Sequence, residues 1–245
     1  MSEGIEIDTN TAVIVCAGPS LERLSATAWN ELRKAGAIVA VNGAFVARAC
    51  DQNNVIFSHV AAMTSGEHMD EIVPGFLKKW KTTRAWRLTK ESDRGLVDAE
   101  SYVRRVLDWS EDSDGGFFGG SSAMSSSNWL HNDWPDDTHA LEELKLISQK
   151  TGKVIPRRGY RRFVFVGLDM IPGEGGHAAG AGFHLSGFAG DPDRDARTRG
   201  RWKRFYEAAT ARGSKILNLS PGTGLRELPS REPPPGWLLA NNFSP

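Results

Sequence analysis

Two histidines, His177 and His184, stand in a glycine-rich stretch (173–190) that follows an apolar run ending Gly167-Leu168-Asp169. An imidazole titrates near neutral pH, so a histidine there is suited to act as general base toward an acceptor hydroxyl. A surface loop histidine is the plainer alternative for either one singly. Gly18-Pro19-Ser20 closes the first apolar run and opens the next segment. Gly18 would let backbone approach a ligand, and Ser20 could donate to a phosphate or a ribose. The same tripeptide also makes an ordinary turn. Asn42 and His59 follow the next two apolar runs, and Gly119-Gly120-Ser121-Ser122 precedes a helical pattern. Backbone N–H groups at such a helix start can cradle an anion, or the serines can simply cap the helix.

Other chemistries find little support. The six histidines include no His-Glu-x-x-His and no His-x-x-x-His spacing, so no metal site is expected from them. Asp191-Pro192-Asp193-Arg194-Asp195 could hold a divalent ion through oxygens, but it reads better as a solvated turn capping the next helix. No Gly-x-Ser-x-Gly elbow marks a serine hydrolase. Neither a Walker loop nor Gly-x-Gly-x-x-Gly occurs in the first strand-turn-helix.

These residues need elements to position them. The β-branched run Thr11 to Ala17, stopped by Gly-Pro, reads as a strand buried on both faces. A helix from about Ser25 to Lys34 ends at Gly36. Strands follow at Ala37–Val41 and Asn54–Phe57, with a fourth at Thr83–Leu88. A helix is expected over Asp98–Trp109 and another from Ser121 toward Leu130. Further strands are Arg162–Val166 and Lys215–Leu219, separated by a helix over Arg199–Arg212. Strands alternating with helices, small or polar residues at each strand end, are the layout of an α/β fold with a mostly parallel sheet and helices on both faces. Ligands of such sheets bind beyond the carboxyl ends of the strands, here Gly18, Pro19, Ser20, Asn42, His59, Asp169 and Ser220.

Residues 1–245 read as one Rossmann-like nucleotide-binding domain. Within it, 131–160 reads as an insertion or lid, and 229–245 as an extended tail around Pro233-Pro234-Pro235. Thirty basic side chains balance thirty acidic ones. A non-specific nucleic-acid binder usually advertises a basic surplus. A local basic face is left open by Arg157, Arg158, Arg161 and Arg162. Two cysteines, Cys16 and Cys50, are too few for a disulfide scaffold. No run is long enough to span a bilayer, and the amino terminus lacks a signal-peptide pattern, so a cytoplasmic, reduced, soluble protein is expected.

The motifs also occur in a telling order. Val-Ile-Val-Cys-Ala-Gly-Pro-Ser-Leu (13–21) precedes Val-Ala-Val-Asn-Gly-Ala (39–44) and Val-Ile-Phe-Ser-His (55–59). Then come Gly-Gly-Ser-Ser-Ala-Met (119–124), Phe-Val-Gly-Leu-Asp-Met (165–170) and Ile-Leu-Asn-Leu-Ser-Pro-Gly-Thr-Gly-Leu (216–225). This order resembles the bacterial sialyltransferases of glycosyltransferase family 42. It is also similar to their wider relatives in the domain of unknown function 115, the flagellin glycosyltransferases and pterin pyrophosphokinase-like proteins, and to phage-encoded proteins of this type. The resemblance implies a Rossmann-like domain with a small lid and a nucleotide-sugar donor. It places Gly18, Ser20 and Asn42 at the nucleotide, with His59 beside them, and Ser121 and Ser122 near base and ribose. His184 is the match for the catalytic histidine, with His177 in reserve. The family's Gly-Asn is Cys16-Ala17 here, and the tyrosines that hold the donor phosphate are missing. Arg157 and Arg158 are candidates to neutralise that phosphate instead. The implied activity is sugar transfer to a hydroxyl with no required cofactor. Pyrophosphoryl transfer would instead need Mg²⁺, held by Asp169 or the 191–195 aspartates, and a non-catalytic nucleotide-binding module is the third reading. The acceptor (glycan, protein or modified DNA base) and homo-oligomerisation are left open.

Overall fold

In a computed structural model, the described residues are 6–53, 60–62, 86–89, 102–103, 122–131, 145–146, 148–149, 152, 157–170 and 192–239. Seven strands form one sheet: β1 (Thr11–Val15), β2 (Ala37–Val41), β3 (Val60–Ala62), β4 (Trp86–Thr89), β5 (Tyr102–Val103), β6 (Arg162–Val166) and β7 (Lys215–Asn218). Their order across the sheet is β5-β4-β3-β2-β1-β6-β7, and every neighbouring pair is parallel. The chain therefore starts at β1, builds outward to β5, then crosses back to the other side of β1.

Every residue of β1 and β2 is buried, as their unbroken apolar runs require of strands covered on both faces. Alternate residues of β1 enter different cores. Val13 and Val15 pack with Ala28, Trp29 and Leu32 of α1 (Ala26–Leu32). On the other side, Ala12, Ile14 and Cys16 pack with Met124 and Leu130 of α3 (Ser122–His131), and with Trp202 and Phe205 of α4 (Pro192–Ala211). A short α2 (Arg48–Gln52) lies between β2 and β3. The expected α/β class, with helices on both faces of a parallel sheet, is what the structure has.

Several elements differ from expectation. The residues expected to form the third strand, 54–57, lie outside the described residues, and β3 begins at Val60, one residue after His59. In place of a helix over 98–109, Tyr102 and Val103 form β5, paired with Leu88 and Thr89. An aromatic and a β-branched residue favour that pleated setting over a helical one. The helix expected from Arg199 begins at Pro192. Proline is suited to the first helical position because its missing N–H would lack a partner there. The Asp191–Asp195 run is thus largely the first turn of α4.

Residues 229–234 form no helix, and the chain then turns, with Trp237 N–H donating to the Pro234 carbonyl at 3.0 Å and Gly236 at φ of +82°. Asn218 N–H donates to the Pro229 carbonyl and Arg231 N–H to that of Asn218, so this segment flanks β7. Further on, Leu238 bridges Leu24, and Ser25 N–H donates to the Trp237 carbonyl at 2.7 Å. No helix among the described residues is long and apolar enough to cross a membrane.

Candidate functional site

Strand order reverses where β1 lies between β2 and β6, and the loops leaving β1 and β6 diverge there. Their first residues are held together. Cys16 N–H donates to the Val166 carbonyl and Gly18 N–H to that of Gly167, both at 2.8 Å, so the ladder continues past the strands. A side chain at Gly18 would be driven into the Gly167 carbonyl oxygen and the Asp169 carboxylate. Gly167 itself has φ of +69° and leaves no room against the Cys16 carbonyl. Approach of protein to protein therefore already requires glycine at both positions.

Pro19 opens a 3-10 turn (Pro19–Arg23) and Ser20 is buried within it. Ser20 N–H donates to Asp169 Oδ2 at 2.8 Å, and the Ser20 hydroxyl donates to Asp169 Oδ1. Asp169 is 5% exposed. The two residues form a buried clasp between the loops after β1 and β6. Both Ser20 donors are turned to Asp169, where the hydroxyl was expected to meet a phosphate or a ribose.

A second network, built from Asn218, Ser220, Thr223 and Gly224 of the 216–225 motif, holds Asp169 from the other side. Asn218 Nδ2 donates to the Leu168 carbonyl at 3.0 Å, Leu168 N–H donates to Ser220 Oγ at 2.7 Å, and Gly224 N–H donates to the Asp169 carbonyl at 2.7 Å. Thr223 Oγ1 lies 2.9 Å from the Leu168 oxygen and 3.0 Å from that of Asp169. The signal was a fully buried asparagine in an otherwise apolar strand, because a buried amide must find partners. Beyond this pinned pair, Met170 takes φ of 44° and turns the chain off the strand direction.

The helices also point their amino ends this way. Gly159 and Tyr160 N–H donate to the Leu130 carbonyl, so the end of α3 lies where β6 begins. Ten residues rise about 15 Å, the length of a five-residue strand, which carries Ser122 to the carboxyl edge. Asn42 begins a 3-10 turn (Asn42–Val46) at that edge, after β2. Gly18, Pro19, Ser20, Asn42, Ser122 and Asp169 are thus gathered along one edge. His59, Ser121, His177 and His184 lie outside the described residues.

Arg157 and Arg158 are placed elsewhere. Arg157 donates to the Thr9 carbonyl and to Asn10 Oδ1, ahead of β1, and covers the Tyr160 ring at 5.4 Å. Arg162 pairs with Asp8 at 2.7 Å, and Arg161 donates to the His131 carbonyl at 2.8 Å. In a parallel sheet all strands start at one edge, so these arginines are separated from Asp169 by the length of β6. The roots of the 131–160 segment lie at this same amino edge.

Electrostatics follow the geometry. Burial, and then the negative charge of Asp169, raise the Cys16 thiol far above its usual range. At the opposite edge, the Asn10 backbone N–H and then Arg162 lower the Asp8 carboxyl. No group of three metal-ligating side chains occurs among the described residues. Set against known proteins, the chain matches no family model, no curated protein and no solved structure.

Proposed function

We propose that the chain is a Rossmann-like nucleotide-binding protein whose ligand lies on the carboxyl edge, outside the Ser20–Asp169 clasp, and that it transfers a sugar from a nucleotide donor to a hydroxyl. The observation that carries this reading is the reversal of strand order at β1, with the loops after β1 and β6 diverging there. The first turns of α3 and of the Asn42 segment supply backbone N–H groups along the same edge. In this reading the Ser20–Asp169 clasp forms the crevice floor rather than contacting ligand. His184 takes the acceptor O–H proton, and the acceptor oxygen bonds the anomeric carbon. The bond from that carbon to the donor phosphate breaks, with its electron pair leaving on the phosphate. Segment 131–160 is read as an inserted excursion.

Mg²⁺-dependent pyrophosphoryl transfer would use Asp169 or the aspartates near 191–195. Both Asp169 oxygens already accept hydrogen bonds from Ser20, so this carboxylate does not favour that reading. A thermal-shift panel of CMP, CDP, UMP, UDP, GDP, ADP and ATP, each with and without Mg²⁺, tests the proposal. A nucleotide at about 100 times its dissociation constant stabilises by roughly 2.7 kcal/mol. Metal-independent stabilisation is expected, with His184→Ala retaining binding and losing transfer. Stabilisation by ATP only with Mg²⁺ would replace sugar transfer with pyrophosphoryl transfer. No shift with any nucleotide would overturn the binding reading itself.

A further inference from the structure

The tail and the turn that carries Ser20 are joined at several points. Leu24 N–H closes that turn by donating to the Leu21 carbonyl, and Leu24 forms an antiparallel bridge with Leu238. Ser25 N–H donates to the Trp237 carbonyl at 2.7 Å, and Leu239 N–H to the Arg23 carbonyl at 2.8 Å. Ser25 Oγ caps α1 by accepting from Ala28 N–H, and it donates to the Gly236 carbonyl at 2.7 Å. Beneath these bonds Leu21, Leu24 and Trp237 share one core. Between this attachment and the one at β7, residues 232–236 are exposed apart from Pro233. The same turn also reaches the neighbouring loops. Glu22 Oε1 accepts from Ala49 N–H at 3.3 Å in the segment after β2, and Ser20 holds Asp169 after β6. The turn is thus the piece through which the tail meets the loops of the carboxyl edge.

We propose that docking of the tail on this turn regulates the nucleotide site. The docked tail holds the Ser20–Asp169 clasp in place; its release opens the clasp and weakens nucleotide binding. The inference rests on the nucleotide reading and adds its control. Release takes Trp237 out of the core it shares with Leu21 and Leu24, and it removes the tail's bonds to Ser25 and to the Arg23 carbonyl. The turn then loses its outer support, while the Asp169 backbone stays tied to Gly224. A site whose floor must first be assembled binds more weakly, in proportion to the fraction of molecules that have it assembled. The linkage is reciprocal, so bound nucleotide must also hold the tail down.

The two backbone bonds flank Leu24 and Leu238, which makes them a non-hydrogen-bonded pair with Cα atoms about 4.5 Å apart, within reach of a disulfide. In W237A/L24C/L238C, reductant therefore switches the tail between free and tethered in one chain, and Cys16 and Cys50 are buried away from the exchange. Without nucleotide, hydrogen exchange at the Ser20 N–H should be at least about fivefold faster in the reduced form, with Arg33 and Ala35 at the far end of α1 alike in both. CMP, CDP, UMP, UDP, GDP, ADP and ATP are then titrated in turn. Those that bind the parent should bind the reduced form at least about fivefold more weakly, and oxidation should restore most of the loss. Should the reduced triple variant fail to fold, the unaltered protein carries the test: a nucleotide that binds it should slow exchange at Ser25 and Leu239. Ser20 exchange or nucleotide affinity indifferent to the redox state, or unslowed exchange at Ser25 and Leu239, would overturn the proposal. So would a loss that oxidation does not restore, since it would trace to the cavity left by the tryptophan. Failure of every nucleotide to bind the parent would overturn the nucleotide reading, and this one with it, whatever Ser20 exchange shows.

Discussion

Ser20 and Asp169 are 149 positions apart, yet each satisfies the other in a buried setting. Removing one partner strands the other, which costs about 1–3 kcal/mol where water cannot substitute. Ser20→Ala and Asp169→Asn should each lower stability by that order, and the double variant should lose less than the sum. Strict additivity in chemical denaturation would mean that the clasp is not an energetic unit. Gly18→Ala should be worse than either, because backbone as well as a carboxylate occupies the space its side chain needs. Beneath the clasp, the Cys16 thiol is buried and its pKa is raised from 9.0. Above pH 9.0 the unfolded chain loses this proton while the native chain keeps it. Stability should therefore fall as pH rises, by about 1.4 kcal/mol per unit, from this one group. Cys16→Ala should flatten the alkaline limb measured by urea denaturation between pH 9 and 10; an unchanged limb would show that other groups cause it.

At the scale of elements, the tail following β7 is a strap rather than a loose end. It flanks β7 at Asn218 and then joins the turn after Leu24, where Trp237 enters the same core as Trp29. Trp237→Ala should cost roughly 3–5 kcal/mol. It should also speed hydrogen exchange at Ser25, whose N–H is held by the Trp237 carbonyl. Protection at Ser25 equal to the parent's would mean the strap holds without its tryptophan. Its prolines argued against a helix or a central strand, but the turn at Pro234–Trp237 and the tail's destination were not legible, because a bridge between Leu24 and Leu238 has no local signal. Continuous apolar runs made β1, β2, β6 and β7 legible, since strands buried on both faces need no partner to be recognised. The two-residue β5 had no such run, and only pairing with β4 defines it. The candidate site was legible as a set of strand ends. Which polar groups there turn inward was not, because Ser20, Asn218 and Thr223 find their partners across the sheet order.

Among the described residues, one sheet separates two cores that share no side chains but share β1, β2, β6 and β7 between them. Trp29 is wholly buried on the α1 face. On the opposite face, Trp202 packs edge-on against Phe165 and Phe205, each at 5.5 Å between ring centroids. A substitution on either face loosens strands on which the other face rests, since β1 sends Val13 and Val15 one way and Ala12 and Ile14 the other. Trp29→Ala and Trp202→Ala should each cost roughly 3–5 kcal/mol, a large part of the 5–15 kcal/mol that typically holds a folded chain together. If the sheet couples the faces, each variant should unfold in one transition at lower denaturant. Far-ultraviolet circular dichroism and tryptophan fluorescence should then give coincident curves. Two separated transitions in either variant would mean that the faces fold as independent units, and that the clasp at the carboxyl edge is held by β1 and β6 alone.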